Sequence, residues 1–334
     1  MRASVVTVAY RAGDQLTRCL NALAERDADV EVVVVDNGAA GDEIERARDA
    51  GIEVVSTGDN LGFAGGCNLG ARTATGDVLV FLNPDTVIGE GALSALARVL
   101  EDEAIGVAMP RLRLLADPET LNSTGCVIHI SGLAWSSGYG LPVSSVQERR
   151  EIPYANGSAL AIRKALFDEV GGFADPYFIY HEDLELCWKV RMVGLPVVLV
   201  PEADVFHDYD YHRHSTKNYF MERNRLLFVA SAFEGRTIAL LSPVLLATEV
   251  ATWLLAFREG WAKDKLAGWR WTLRHRGWLR GHRRRLQALR KVPDSRLADQ
   301  LQATVDPAMI PVPTLVRAAN PVLRAYWSVV RRLL

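Results

Sequence analysis

Cysteine is sparse in this chain. Cys19, Cys67, Cys126 and Cys187 lie scattered over 334 residues with no paired spacing. That argues against a zinc site or a disulfide framework and fits a reducing compartment. After Met1-Arg2-Ala3 there is neither the long apolar core nor the small-residue cleavage site of a secretory leader, so a cytoplasmic body is expected. Internal repeats and low-complexity segments are missing, and so are a Walker loop and a dinucleotide fingerprint. Net charge is almost absent at -2, but the balance hides a division. Residues 258–291 hold twelve Lys/Arg against Glu259 and Asp264, about +10, which leaves about -12 for the rest. An acidic body with a basic patch near its C-terminal end is the result.

What is present is enough apolar sequence for a full core, as one large domain or one domain with an appendage. Residues 4–9 read as a first strand and 17–26 as the helix after it. Residues 31–35 form a second buried strand that closes on the turn signal Asp36-Asn37-Gly38. Helical spacing over 42–50 precedes a third strand at 52–56. A glycine-rich loop, 60–66, leads into a helix over 67–75, and Val78–Leu82 is a fourth strand, apolar throughout. Strands alternating with helices at this spacing predict βαβ units and a mostly parallel sheet with helices on both faces. From 110 to 152 the pattern weakens into irregular structure. Helices follow at 164–170 and 183–193, with another buried strand at 197–200.

Beyond Arg236 the periodicity is helical to the end. Residues 238–257 are apolar apart from Ser242, Thr248, Glu249 and Thr252, just reaching the ~20 residues a bilayer span requires. Glu249 near the middle makes spanning costly. Next, Trp261, Trp269, Trp271 and Trp278 interleave with Arg270, Arg274, Arg276, Arg280 and Arg283 to Arg285. Indoles among basic residues are the pattern of a segment lying on an anionic membrane surface. Nucleic-acid binding and a helix packed in a homo-oligomer are the competing readings. The expectation is a membrane surface, no nucleic acid, and oligomer contacts left open.

Four constellations carry chemistry. First, Pro84 ends the ladder of the fourth strand and Asp85 emerges in the crevice where open α/β sheets bind ligands. A carboxylate there can hold a hard cation that grips a diphosphate, or it can cap the next helix. Asp36 ends the second strand in the same way and can accept from a base or ribose, or serve the turn; Tyr10, after the first strand, can pack against a base or the core. Second, the glycines of Asn60-Leu61-Gly62-Phe63-Ala64-Gly65-Gly66-Cys67-Asn68 let backbone amides approach a phosphate at a helix N-terminus. Third, Tyr180-His181-Glu182-Asp183 puts carboxylates at a helix start beside the aromatic run from Tyr177. The helix dipole explains acids there, and an apolar rim that raises a carboxylate pKa explains a general base. Fourth, His207 closes a strand, with His212 and His214 nearby, and can complete a metal site begun by Asp85.

In this order the motifs resemble a family-2 glycosyltransferase of the GT-A fold, in the rhamnosyltransferase-like subgroup of bacterial cell-wall and surface-polysaccharide enzymes. The matching pieces run from Val33-Val34-Val35-Asp36-Asn37-Gly38 through the 60–68 segment to Phe81-Leu82-Asn83-Pro84-Asp85-Thr86. They continue with Gly171-Gly172-Phe173, Tyr180-His181-Glu182-Asp183, Pro201-Glu202-Ala203 with His207, and Arg223-Asn224, covering residues 4–228. The resemblance implies a Rossmann-like sheet in a catalytic domain over 1–235, with a C-terminal helical extension over 236–334. It implies that Asp36 binds base or ribose, and that Asn83 and Asp85 fill the Asp-X-Asp position. Asp85 and His207 would hold Mg2+ or Mn2+ at the sugar diphosphate, and Arg223 would reach the same group. Asp183 matches the catalytic base, with Glu182 as rival. Tyr10, Asn60, Gly65 and Asn68 complete the expected donor pocket.

The implied reaction is an inverting transfer from a nucleotide-diphosphate sugar to a lipid-linked or polysaccharide acceptor on the inner face of the cell membrane. dTDP-rhamnose is the favoured donor and UDP-sugars follow. The alternatives are a catalytically degenerate binding subunit, or a sugar-nucleotidyltransferase, for which Ala9-Tyr10-Arg11-Ala12-Gly13 is a poor opening loop.

Overall fold

The computed structural model describes residues 1–26, 30–38, 41–209, 217–308 and 312–334. The chain divides into two compact units. The first comprises Met1–Cys126, Ser136–Val190 and Leu195–Asp210; the second comprises Val127–Trp135, Arg191–Gly194 and Tyr211–Leu334.

The first unit opens with strict alternation: β1 (Ala3–Ala9), α1 (Asp14–Arg26), β2 (Glu31–Asp36), α2 (Asp42–Asp49), β3 (Glu53–Ser56), α3 (Gly62–Thr73) and β4 (Val78–Leu82). Val5, Val6, Val33 to Val35 and all of β4 are buried, as β-branched and aromatic side chains fill both faces of a parallel sheet. β1 pairs in parallel with β2 and with β4, and β2 with β3. The chain therefore moves outward from β1 to β3 and then jumps back across β1 to β4. Right-handed crossovers put α1 and α2, which pack together, on one face and α3 on the other. The reversal between β1 and β4 opens the crevice where strand-end loops diverge.

The expected glycine loop is instead the start of a helix. α3 begins at Gly62, five residues earlier than predicted, because its glycines let it lie close on β1. A Cβ at Gly66 would come 2.7 Å from Val8 Cγ1, and one at Gly70 would collide with Val6.

The chain continues with β5 (Thr86–Ile88), α4 (Ala92–Val99), β6 (Val107–Leu114), β7 (Leu121–Ser123), β8 (Cys126–His129), β9 (Ala134–Ser136), β10 (Arg150–Glu151), β11 (Ala159–Arg163), α5 (Lys164–Glu169), α6 (Glu182–Met192) and β12 (Val197–His207), of which β8 and β9 fall mostly in the second unit. The sheet order is β10-β12-β6-β11-β4-β1-β2-β3. Four of the seven pairings in this order are parallel, as expected, and antiparallel strands are added among them. β11 enters antiparallel to both β4 and β6, while β5 and β10 pair antiparallel with β12. β7 and β10 are three and two residues long, too short for the alternation that marks a strand in sequence.

The second unit contains α7 (Lys217–Ala232), α8 (Gly235–Glu259), α9 (Ala262–Arg274), α10 (Arg276–Leu289), α11 (Asp294–Leu297), β13 (Leu301–Gln302) and α12 (Thr314–Leu333), with β13, β8 and β9 in a small sheet. The expected boundary after residue 235 moves, because α7 is tied to α8 and α9 by buried charge. Arg225 reaches Glu249 at 2.5 Å and Glu222 at 3.3 Å, and Lys265 bonds to Glu222 and to Glu249. The tryptophans are also engaged within this unit. Trp269 Nε1 donates to Glu249 at 2.8 Å, Trp271 stacks on His275 and Trp278 on His282. They are not a row of free indoles offered to a membrane, as the sequence pattern suggested.

Candidate active site

The antiparallel insertion of β11 builds the site. Its register sets Ala159 opposite Leu82, so the residues that lead into β11 lie beside those that leave β4. Asn83 N donates to Ser158 O at 2.9 Å. One residue earlier, Gly157 N donates to Asp183 Oδ2 at 2.8 Å, and Leu184 N donates to Asp183 Oδ1 at 2.7 Å. Asp183 and the Asn83–Asp85 turn are thereby fastened to adjacent peptides. Segment 156–158 escaped the sequence reading; the Asn156-Gly157 pair, a turn signal, was the available clue.

Asp85 and His207 meet through a second pairing. β5 and β12 run antiparallel with Thr86 opposite His207, and Asp208 N donates to Asp85 O at 2.9 Å. His207 Nε2 stands 3.4 Å from Asp85 Oδ1, and His207 Nδ1 lies 2.9 Å from Asn122 Oδ1. An amide oxygen only accepts, so Nδ1 carries the proton and a neutral ring turns a lone pair toward the carboxylate. Two acceptors facing each other call for positive charge between them, which a proton on the ring or a divalent ion supplies. Adjacent ligands on an octahedral ion with bonds of about 2.1 Å sit roughly 3 Å apart, so this pair fits such an ion. Among the described residues no group of three His, Cys, Asp or Glu could hold a metal. A two-donor site suits Mg2+ or Mn2+, which leave positions for phosphate and water. His212 and His214 lie outside the described residues. Asn122, from β7, was missed because nothing in Leu121-Asn122-Ser123 marks it.

The approach to α6 is strained. Phe178 forms a γ-turn of the unfavourable hand (φ 65, ψ -63), closed by Ile179 N donating to Tyr177 O at 2.7 Å. Tyr180 and His181 follow at φ 69 and 66. Non-glycine residues in such conformations cost about 1–3 kcal/mol each and cluster at functional sites. The turn is braced on α3, where Phe178 O accepts from Ala64 N at 3.2 Å. Gly62, at φ +71, leaves the room, since a Cβ there would strike Phe178 O.

The two adjacent acids differ. Burial pushes Asp183 up to about 6, opposed by the backbone donors of Gly157 and Leu184. Its side chain nevertheless keeps a partly open surface, while Glu182 is only 5% exposed. Glu182 Oε2 has no hydrogen-bond partner among the described residues. Burial, then the neighbouring Asp183 charge, raises its pKa well above the usual range. Glu182 is therefore enclosed, with burial holding its proton more firmly than on an ordinary carboxylate, which favours Asp183 over its neighbour as the base.

The other expected residues divide into open and committed groups. Asp36 sits opposite Ala9 and accepts from Ser56 Oγ at 3.1 Å, with Tyr10 exposed next to Ala9. Asn83 is half-buried beside Asp85. Three residues expected to touch the donor also fasten the fold. Asn60 Oδ1 accepts from Gly62 N and from Asn37 Nδ2, tying α3 to the end of β2. Asn68 bonds through its amide to Phe173 O, Phe173 N and Asp175 Oδ1. Gly65 is buried in α3 where a Cβ would come 2.9 Å from Leu61 Cβ. Arg223 belongs to α7 of the second unit, where its guanidinium lies over Trp271, Phe220 and Tyr219 at 4.6, 4.9 and 5.2 Å and Nε donates to Asn224 Oδ1. Its charge is absorbed by an aromatic cage.

The family model described as Glycosyl transferase family 2 matches residues 4–171. Low-salt glycan biosynthesis hexosyltransferase Agl10 of Haloferax volcanii is 23% identical over 266 residues, covering 75% of this chain and 83% of its own length. N-acetylglucosaminyl-diphospho-decaprenol L-rhamnosyltransferase of Mycobacterium tuberculosis is 28% identical over 242 residues, covering 64% of this chain and 76% of its own. Among solved structures, GalNAc-T7 with UDP, GalNAc and Mn2+ aligns with a TM-score of 0.60 at 18% identity, over 72% of this chain and half of that one. At that identity the likeness shows the fold, that of GT-A glycosyltransferases.

Proposed function

Because this chain belongs to glycosyl transferase family 2, we propose that its first unit moves a hexosyl group from a nucleotide-diphosphate sugar to an acceptor hydroxyl with inversion at the anomeric carbon. The acceptor oxygen forms its bond to that carbon as the bond to the diphosphate oxygen breaks. The diphosphate leaves with the electron pair, and the hydroxyl proton passes to the Asp183 carboxylate. Asp36 and Tyr10 bind the nucleoside, and Asp85 and His207 would hold Mg2+ or Mn2+. That ion would neutralise charge growing on the departing diphosphate. The observation that carries this reading is the pair of hydrogen bonds that anchor Asp183 at Gly157 and Asn83 at Ser158, side by side.

dTDP-rhamnose is the favoured donor, with UDP-sugars next, and a lipid-linked or polysaccharide acceptor of the cell envelope is the favoured partner. The names of the rhamnosyltransferase and hexosyltransferase relatives support both choices. The catalytic unit would work on the cytoplasmic side of the membrane, with the helical C-terminal region as its peripheral attachment. The test incubates the protein with Mn2+, a panel of nucleotide sugars and a prenyl-diphosphate sugar acceptor. One donor is expected to be consumed with a β-linked product from an α-linked donor, or the reverse. Retention of configuration, or no turnover of any nucleotide sugar, would overturn the proposal.

A further inference from the structure

The face of α8 that meets solvent is its apolar one. Leu246, Ala247, Val250, Ala251, Leu254 and Phe257 recur at three- and four-residue spacing and are exposed, Leu246, Leu254 and Phe257 by 67%, 66% and 69%. No charge interrupts this stripe. The polar groups in the middle of α8 point the other way: Glu249 into the buried pairs with Arg225 and Lys265, and Thr252 Oγ1 to Lys265 Nζ at 2.7 Å, with the exposed Arg258 only at the helix end. A helix stable in water has the reverse arrangement, and an exposed apolar stripe of this length marks an interaction surface.

The charges around it identify the occupant. Arg270, Arg274, Arg276, Arg280 and Arg284 on α9 and α10 are exposed, and none forms an ion pair with a described residue. On α12, exposed Leu315, Val322 and Val329 repeat every seven residues, and Arg317 and Arg324 are exposed, while Arg331 pairs with Asp299. The second unit carries about +15 overall, which repels a second copy and attracts an anionic surface. α8 is also long and apolar enough to cross a membrane, yet Glu249 ties its middle to α7 and α9. Threading it through a bilayer would pull those buried pairs apart.

We propose that the second unit docks on an anionic lipid bilayer through the α8 stripe, the helix lying at the headgroup–acyl boundary without crossing it, with the arginines of α9, α10 and α12 on lipid phosphates. The surface is therefore aliphatic, not the tryptophan row. The inference rests on the lipid-linked acceptor of the proposed function for its purpose, and its test is separate from turnover.

Full-length protein is sedimented with phosphatidylcholine vesicles with and without phosphatidylglycerol. Binding is expected with the anionic vesicles, falling about tenfold for each leucine changed in L246E and L254E and falling in R276E/R280E/R284E, all with unchanged melting temperature. Nucleotide-sugar hydrolysis should survive in these variants, and D183N should lose hydrolysis while still binding vesicles. Failure to sediment, or binding indifferent to L246E/L254E, overturns the proposal. So does a dimer that L246E/L254E dissolves, or retention by RNA in place of vesicles.

Discussion

His207 Nε2 faces Asp85 Oδ1 at 3.4 Å, although 122 positions separate them in the chain. With Nδ1 committed to Asn122, the pair is an electron-rich pincer that wants a cation. This contact is where the fold turns two ordinary strand-end residues into a candidate metal site.

Replacing either arm should therefore weaken metal-dependent donor binding. D85N and H207A are expected to raise the Mn2+ concentration needed for half-maximal turnover by about 10- to 100-fold. N122A should give a smaller rise by freeing the ring. Isothermal titration of Mn2+ with the nucleoside diphosphate present measures this. Equal turnover in EDTA and in Mn2+ would remove the metal from the account.

Asp183 and Glu182 make opposite predictions although they are neighbours. D183N should lower kcat by about 10²–10⁴-fold, the usual worth of a positioned base, with KM for the donor little changed. E182Q replaces a buried acid whose pKa burial raises with an uncharged isostere, and should stay within a few-fold of wild type. The reverse ranking would reassign the base.

The pH profile follows from the same burial. A base must be ionised to take a proton, and Asp183 is pushed up to about 6. Turnover should fall about tenfold per unit below that value and level off above it. The stability effect has the opposite sign. Folding raises the pKa of both acids, so the native state binds more protons than the unfolded chain just above the ordinary carboxylate range, and their contribution weakens as pH rises through that window. Melting temperature against pH for wild type and D183N checks it; an acid limb unchanged in a residually active D183N would count against Asp183.

Gly62 leaves the room in which the strained turn packs on α3. G62A forces a side chain onto Phe178 O and an unfavourable φ, so about 1–3 kcal/mol of stability should be lost. The shift should also reach Asp183, five residues beyond Phe178, and lower kcat more than donor affinity. Unaltered kcat in a folded G62A would show that the turn does not position the base.

Lys265 is fully enclosed between Glu222 and Glu249. K265M removes one of the two cations that those carboxylates share, leaving Arg225 and the Trp269 indole, and should destabilise the second unit by about 3 kcal/mol or more. Urea denaturation followed by tryptophan fluorescence reads this directly, because seven of the eight tryptophans lie in that unit. An unchanged midpoint would mean that the charge network is energetically idle.

Much of the first unit was legible because its signals are local. β4 is apolar over five residues, β2 over four, and β1 is broken only by Thr7 between Val5 and Ala9, and a buried parallel strand can be read from its own side chains. Strand-end Asp36 and Asp85 were visible for the same reason, since turn residues cut those runs off. The glycines of α3 misled, because a glycine that admits a ligand and one that admits a neighbouring strand look alike in sequence. The fastening bonds of Asn60 and Asn68 were equally hidden, as an amide offered to a ligand and one closing a loop have the same chemistry.

The amino-acid order by itself determined the alternation of strands and helices, the carboxylates and histidine at strand ends, the acidic start of α6 and the division of charge. Tertiary structure alone decided that β11 enters antiparallel and carries Gly157 to Asp183, that His207 reaches Asp85, that Glu182 is enclosed while Asp183 is not, and that α8 turns its aliphatic side outward. The reason is common to all four. Periodicity reports which residues prefer burial, but which partner each one meets depends on strand direction and register, and those are set by pairings between segments tens to more than a hundred residues apart.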